Sequence, residues 1–245
     1  MSRKSVRPLQ RHKAAAEALL AFLLLLFLSA CAPAATPVLT AEQIAQRSAD
    51  RTAQINTFHF TIDLAGRAKT IDPLATLVLR HAEGDVARPD RAQSKIKVSV
   101  SGLIIEVQAI GIADKQWLTN PLSQRWEAAP ANWGYNPSVL FDGQKGIPAL
   151  LHRVTSLTRL PDESFGGKPH YKLSGKISAQ DAGPMTAYMV TGSDVTFTLW
   201  VGADDSLLRR VHITEKETPA ADPTDWDIVL SAFDTPVNIQ PPPLQ

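Results

Sequence analysis

Phe58-His59-Phe60-Thr61-Ile62-Asp63-Leu64-Ala65 alternates apolar with polar or small side chains, and Gly66 ends the run. Successive side chains of a strand point to opposite faces, so Phe58, Phe60, Ile62 and Leu64 share an apolar face while His59, Thr61 and Asp63 share a polar one. The segment reads as a strand buried on one side. Shorter runs of similar character follow at 76–82, 95–100, 103–110 and 115–119, separated by the turn pairs Glu83-Gly84, Pro89-Asp90 and Ser101-Gly102. Connections this short require antiparallel neighbours, because a parallel pair needs a crossover of about a dozen residues. The first half of the chain is therefore expected to be a meander.

The pattern then changes. From Pro137-Ser138 to Leu160 the apolar residues Val139, Leu140, Ile147, Leu150, Leu151, Val154 and Leu157 suggest helix, interrupted near Asp142-Gly143 into two short pieces. Strands resume at 170–178, 195–201, 207–214 and 226–232, with a further short helix expected within 181–190. Ahead of the first strand, Thr40-Ala41-Glu42-Gln43 is a capping box, which predicts a helix to about Ile55 with Ile44, Ala45, Ala49, Thr52 and Ile55 on its apolar side. Strands and helices in separate blocks give an α+β domain built on an antiparallel sheet. Where such a sheet is strongly curved, a few helices cover its apolar face incompletely and leave a cavity.

The start of the chain carries an address. Arg3, Lys4, Arg7, Arg11 and Lys13 precede the uninterrupted apolar run from Leu19 to Leu28, and Leu28-Ser29-Ala30-Cys31 closes it as a lipobox. The run is short for a spanning helix, which needs roughly 20 apolar residues. Cys31 is the chain's only cysteine, so no internal disulfide can form and stability has to come from packing. The expected organisation is a signal peptide over 1–30, a lipidated tether over 31–39 starting at Cys31, and a single domain over 40–245. The protein is expected at the cell membrane, lipid-anchored on its extracytoplasmic face.

Composition and motifs narrow the function. The first thirty residues hold five Lys/Arg and one acidic residue, which leaves 20 basic and 23 acidic residues beyond them. No basic footprint for nucleic acid remains. G-x-S-x-G, H-E-x-x-H and C-x-x-C are all absent, and with them the usual hydrolase, zinc-protease and thiol-redox signatures. His59, His81, His152, His170 and His212 are isolated in sequence, without metal-ligand spacing, and His59 and His212 fall on polar strand positions. Asp204-Asp205 lies between two strand patterns as ordinary turn chemistry, and Asp85, Asp90 and Arg91 read as another interstrand loop. Trp117, Trp126, Trp133, Trp200 and Trp226 suit either core packing or the lining of an apolar pocket. No cofactor is implied and no catalytic set stands out.

Taken in order, several segments resemble the LppX/LprAFG family of mycobacterial lipoproteins. They are Phe58-His59-Phe60 leading to Gly66; Gly84-Asp85-Val86 with Pro89-Asp90-Arg91-Ala92; and Ala113-Asp114-Lys115-Gln116-Trp117-Leu118-Thr119-Asn120-Pro121 closing on Trp126. Tyr135-Asn136-Pro137-Ser138-Val139-Leu140-Phe141-Asp142 and Gly146-Ile147-Pro148-Ala149-Leu150-Leu151 continue the match. It ends with Val195-Thr196-Phe197-Thr198-Leu199-Trp200-Val201, Leu207-Leu208-Arg209-Arg210 and Pro236-Val237-Asn238-Ile239. The resemblance implies a bent antiparallel half-barrel wrapped over helices, similar to the LolA and LolB carriers. It also implies a hydrophobic cavity for acylated lipids or glycolipids, with cargo moved to or within the envelope and a membrane transporter as one handover partner.

Strand parity and helix position, rather than a family signature, supply the expected lining. Phe60, Ile62, Val98, Val100, Ile105, Val107, Phe197, Leu199 and Val211 should face Leu140, Ile147, Leu150, Leu151 and Val154. Trp117, at a position many members fill with tyrosine, bears on the cavity's width. The rival readings are a surface-anchored interaction or envelope-assembly module with a filled core and, with less support, an anchored hydrolase.

Overall fold

At Thr40 the capping box forms: its hydroxyl accepts from the Gln43 amide at 3.2 Å, and Gln43 Oε1 accepts from the Thr40 amide at 3.0 Å. The helix it starts, α1 (Ala41–Thr52), buries Ala41, Ile44, Ala45, Ser48, Ala49 and Thr52 on one side, close to the expected stripe. The computed structural model describes residues 38–71, 76–129, 136–192, 194–216, 218 and 220–243. Leu39–Gln245 is one compact unit. The signal and lipidation readings, Cys31 included, fall on residues outside those described.

Among the described residues, eleven strands form one antiparallel sheet. They are β1 (Thr57–Gly66), β2 (Val78–Ala87), β3 (Arg91–Val100), β4 (Leu103–Ile112), β5 (Lys115–Thr119), β6 (Trp126–Ala128), β7 (Thr155–Phe165), β8 (Lys168–Lys176), β9 (Asp194–Gly202), β10 (Leu208–Lys216) and β11 (Thr224–Ser231). The order is β6-β5-β4-β3-β2-β1-β11-β10-β9-β8-β7. Two meanders thus flank the central pair of β1 and β11. Between β6 and β7 come a 3₁₀ turn (Pro137–Phe141) and α2 (Ile147–Arg153), and between β8 and β9 come α3 (Ala179–Ala182) and a second 3₁₀ turn (Gly183–Thr186). Two short helical pieces parted at Asp142–Gly146, and a third near 181, match the sequence expectation.

Three readings of the sequence need correction. Glu83-Gly84 is not a turn: β2 runs through it to Ala87, and the chain reverses at Arg88–Asp90. A Cβ on Gly84 would lie 2.0 Å from the Gln93 carbonyl oxygen, so the glycine serves close approach of β3 within the bent sheet rather than chain reversal. Asp85 accordingly sits within β2 and Arg91 opens β3, so of the three residues read as a loop only Asp90 lies in one. The stretch to Leu160 is not helical throughout, because β7 begins at Thr155. β7 is an edge strand that leaves most of its residues exposed or half-buried, so no clean alternation marks it in the sequence. The Ser101-Gly102 turn was legible; both residues take positive φ (47° and 86°), the combination a two-residue hairpin requires.

A buried ion pair fastens one end of the central strands. Glu215 of β10 and Lys69, just beyond β1, meet at 2.8 Å and are both buried. The same carboxylate oxygen accepts from the Thr191 and Gly192 amides at 2.8 Å each, and the other accepts from Trp226 Nε1 at 3.3 Å. Burial opposes ionisation of Glu215, yet the Lys69 ammonium and the two amides outweigh it and hold the carboxyl below its usual range. The unfolded chain therefore binds more protons at this group, so its contribution to stability is complete above the ordinary glutamate range, about pH 4.3. That contribution is lost as pH falls through the depressed folded value.

Two outcomes are expected. Lys69→Met leaves the carboxylate buried without its cation and lowers unfolding free energy by about 3–5 kcal/mol, whereas Glu215→Gln flattens the acid side of the stability profile; denaturant titrations between pH 3 and 7 measure both. Gly84→Val, which overpacks against the backbone of β3, costs about 1–3 kcal/mol or more in the same assay at neutral pH.

Candidate functional site

One row of side chains crosses eight strands on the same face. Strand register aligns Leu173, Leu199, Val211, Ile228, Ile62, Ala82, Ile96 and Val107 from β8 to β4. This inner face carries Phe60, Ile62, Val98, Val100, Ile105, Val107, Phe197, Leu199 and Val211, all assigned to it from parity. The helices cover it unevenly. On β9, β10 and β11, Val195, Phe197, Leu199, Val201, Val211, Ile213, Trp226, Ile228 and Leu230 are each at most 4 % exposed. They form one core with Leu140, Phe141, Ile147, Leu150 and Leu151 of the helical layer, and Val154 packs against its edge.

On the β1–β4 wing the cover is incomplete. Val98 and Val107 are buried, whereas Phe60, Ile62 and Ile96 are only partly buried against the core, and Val100 and Ile105 are half-buried. One end of this wing is capped by Phe141, whose ring meets Phe58 edge-on at 5.8 Å, while the Arg88 guanidinium lies over it at 4.4 Å. Arg88 is held there by the Ile55 and Ala53 carbonyls at 2.7 and 2.8 Å. At the other end β4 grades from Val107, 3 % exposed, through half-buried Ile105 to Leu103, 74 % exposed.

Trp117 does not join this face. It pairs with Ile110 in the row of His59, Asp85 and Gln93, on the opposite side of the sheet. That outer face is polar. His59 Nδ1 lies 2.8 Å from Asp85, His81 Nδ1 lies 2.7 Å from Asp63, and His212 Nε2 lies 3.4 Å from Asp225. A cleft of about 380 Å³ runs along it past His59, Asp85, Gln93, Lys95, Gln108 and Trp126. Farther along, Arg210 and Lys172 lie over the Trp200 ring at 4.7 and 5.0 Å. Glu163 accepts from Lys172 at 2.6 Å and from Trp200 Nε1 at 3.3 Å, and these donors hold its carboxyl below the usual range. The tryptophans thus separate: Trp226 is core, Trp200 is an outer-face cation–π partner, Trp117 and Trp126 lie near one sheet edge, and Trp133 is outside the described residues. Asp205 acts as turn chemistry, accepting from the Leu207 amide at 3.1 Å.

Among the described residues no group of three His, Cys, Asp or Glu side chains is placed to hold a metal, and no helix is long and apolar enough to cross a membrane. The buried Ser48 and Thr52 hydroxyls on α1 lack hydrogen-bond partners there. No parity argument on the strands could have singled them out, since they belong to the helix.

An open, curved antiparallel sheet with one apolar face under a few short helices defines the class: a curved-sheet α+β scaffold whose distinctive surface is apolar. The chain belongs to the LppX_LprAFG lipoprotein family, whose description matches residues 40–239. LprF of Mycobacterium bovis, named as a proposed diacylated glycolipid transporter, is 23 % identical over 221 residues, covering 84 % of this chain and 79 % of LprF. The crystal structure of LprF from Mycobacterium bovis superposes with a TM-score of 0.64 at 21 % identity, covering 82 % of this chain and 96 % of that one. Lipoprotein LppX of Mycobacterium tuberculosis gives 0.57 at 19 % identity, over 82 % and 98 % of the two chains. These likenesses establish the bent-sheet architecture expected above.

The uneven cover has a measurable consequence. Leu199→Ala, in the fully covered part, should cost about 2–5 kcal/mol, and Ile96→Ala on the partly covered wing less than half as much. Ser48→Ala removes a hydroxyl whose unpaired burial costs about 1–3 kcal/mol, so it should leave stability equal or raised. Urea unfolding of the three variants reads the contrast.

Proposed function

We propose that the protein is a membrane-tethered carrier that holds the acyl chains of a lipid or glycolipid between the inner face of β1–β4 and the helical layer. The observation that carries this reading is the partial cover of a face apolar along its length, in a chain of the LppX_LprAFG lipoprotein family. Phe60, Ile62, Val98, Val100, Ile105 and Val107 would line one side. Leu140, Ile147, Leu150, Leu151 and Val154, with Phe197, Leu199 and Val211, would line or support the other. Trp117 drops out of this lining by its register. The tether would be Cys31, acylated after removal of residues 1–30, with residues 40–245 as the carrier domain at the extracytoplasmic surface.

The energetics favour exchange over storage. Removing an acyl chain from water yields about 0.8 kcal/mol per CH₂, but a lipid leaving a bilayer is already out of water, so that gain nearly cancels between membrane and protein. Cargo would then follow a gradient or a handover partner, a membrane transporter among them. The anchor obeys the opposite arithmetic: one acyl chain attaches reversibly, and two or more hold stably.

Organic extracts of the purified mature protein, analysed by mass spectrometry, should contain near one acylated lipid per chain. A lipid-free protein that also takes up no fluorescent lipid would overturn the carrier and favour an anchored module with a filled core. Val100→Trp, at a half-buried position, should lower lipid loading severalfold while thermal unfolding stays cooperative. Cys31→Ser should move the protein from the membrane to the soluble fraction on centrifugation.

A further inference from the structure

The hairpin between β3 and β4 ends in Ser101-Gly102-Leu103-Ile104, and its two large apolar side chains are 74 % and 70 % exposed. Leu122, 93 % exposed, lies in the turn between β5 and β6. Gln124 holds that turn against β4, donating to the Glu106 carbonyl at 3.3 Å and to the Pro121 carbonyl at 3.1 Å. Isolated exposed apolar side chains are ordinary on a protein surface, but three at one end of a sheet form a patch. Leu103 and Ile104 are consecutive strand residues, so they project to opposite faces and the tip is apolar on both sides. Behind the tip Lys97 stands opposite Glu106 and Lys95 opposite Glu83, and Arg125 follows the β5–β6 turn, whose Asn120 donates to Glu127 at 3.2 Å.

We infer that this tip, Leu103 and Ile104 with Leu122, inserts into the surface of the anchoring bilayer. Two observations select a membrane as the occupant. The tether ends at a lipidation motif, and the eight residues 32–39 span at most about 25 Å, so a bilayer stays within reach of the domain. The apolar surface is also continuous with the inner face, through Leu103, Ile105 and Val107 of β4, so a chain leaving the bilayer would move along one strand without crossing water. The inference rests on the carrier reading for its purpose, but contact of the tip with lipid can be measured without it.

The test uses the chain from residue 31 onward, which retains the whole compact unit, with Cys31→Ser and a hexahistidine tag at that end. The tag holds the protein on vesicles of phosphatidylglycerol and nickel-chelating lipid. A fluorophore on Ile104→Cys should be quenched at least twofold by tail-brominated lipid, whereas one on Asp114→Cys, in the turn at the opposite end of β4, should not. Ile104→Asp with Leu122→Asp should slow uptake of fluorescent lipid from vesicles about tenfold while loading from detergent solution is unchanged. Ile104→Ser with Leu122→Ser gives the same comparison if the acidic pair does not fold. An unquenched probe at 104, or uptake from vesicles at the unaltered rate in a folded variant, overturns the inference. If the unaltered protein loads no lipid even from detergent while the probe at 104 is quenched, the carrier reading fails and the membrane contact stands.

Discussion

The pairing of β1 with β11 is the contact on which the rest of the structure depends. It sets Ile62 against Ile228 and Phe60 against Leu230, joining the meander β2–β6 to the meander β7–β10. Without it each meander would present an open edge and an apolar face narrower than the helices above. With it, one apolar row runs from Leu173 to Val107. The entropy of closing so long a loop grows only slowly with its length, and burial of Trp226, Ile228 and Leu230 against the helices offsets it.

Beside that seam lies a polar group in an apolar place. Glu215 is buried, yet it receives the Lys69 ammonium, two amides and an indole N–H, so its lone pairs are satisfied. The cluster ties the chain beyond β1, the loop before β9, β10 and β11 at one point. A buried ion pair adds little net stability over a well-packed apolar substitute, but losing one partner is costly. Its effect is to specify which segments meet there.

The inner face divides the molecule into a covered half and a partly covered half. Over β9–β11 the helices supply enough apolar area to exclude water. Over β1–β4, Phe141 caps one end and the other rises to exposed Leu103. The chain carries this asymmetry as a member of the LppX_LprAFG lipoprotein family. The outer face is populated by histidine–aspartate pairs and cation–π contacts, and its charges alternate across strands, which suits a solvated surface.

Alternation from Phe58 to Leu64, the Thr40 capping box, the Ser101-Gly102 turn and the interrupted helices after Pro137 were all legible in the sequence, because each rests on local periodicity or backbone preference. Parity alone placed nine of the strand residues on the correct face. The resemblance tied Trp117 to the cavity, but the register of β2, β3, β4 and β5 sets it on the opposite face, which cannot be counted within one short strand. Turn chemistry misplaces Gly84, which reads as a turn until β3 is seen pressed against it, and β7, an edge strand without a buried row, offers no alternation to set against the helix reading. Local sequence thus determined the strands, the caps and the polarity of each face. Tertiary structure decided which strands neighbour one another, which apolar residues the helices cover and where Glu215 finds its partners, because those depend on contacts between segments far apart in the chain.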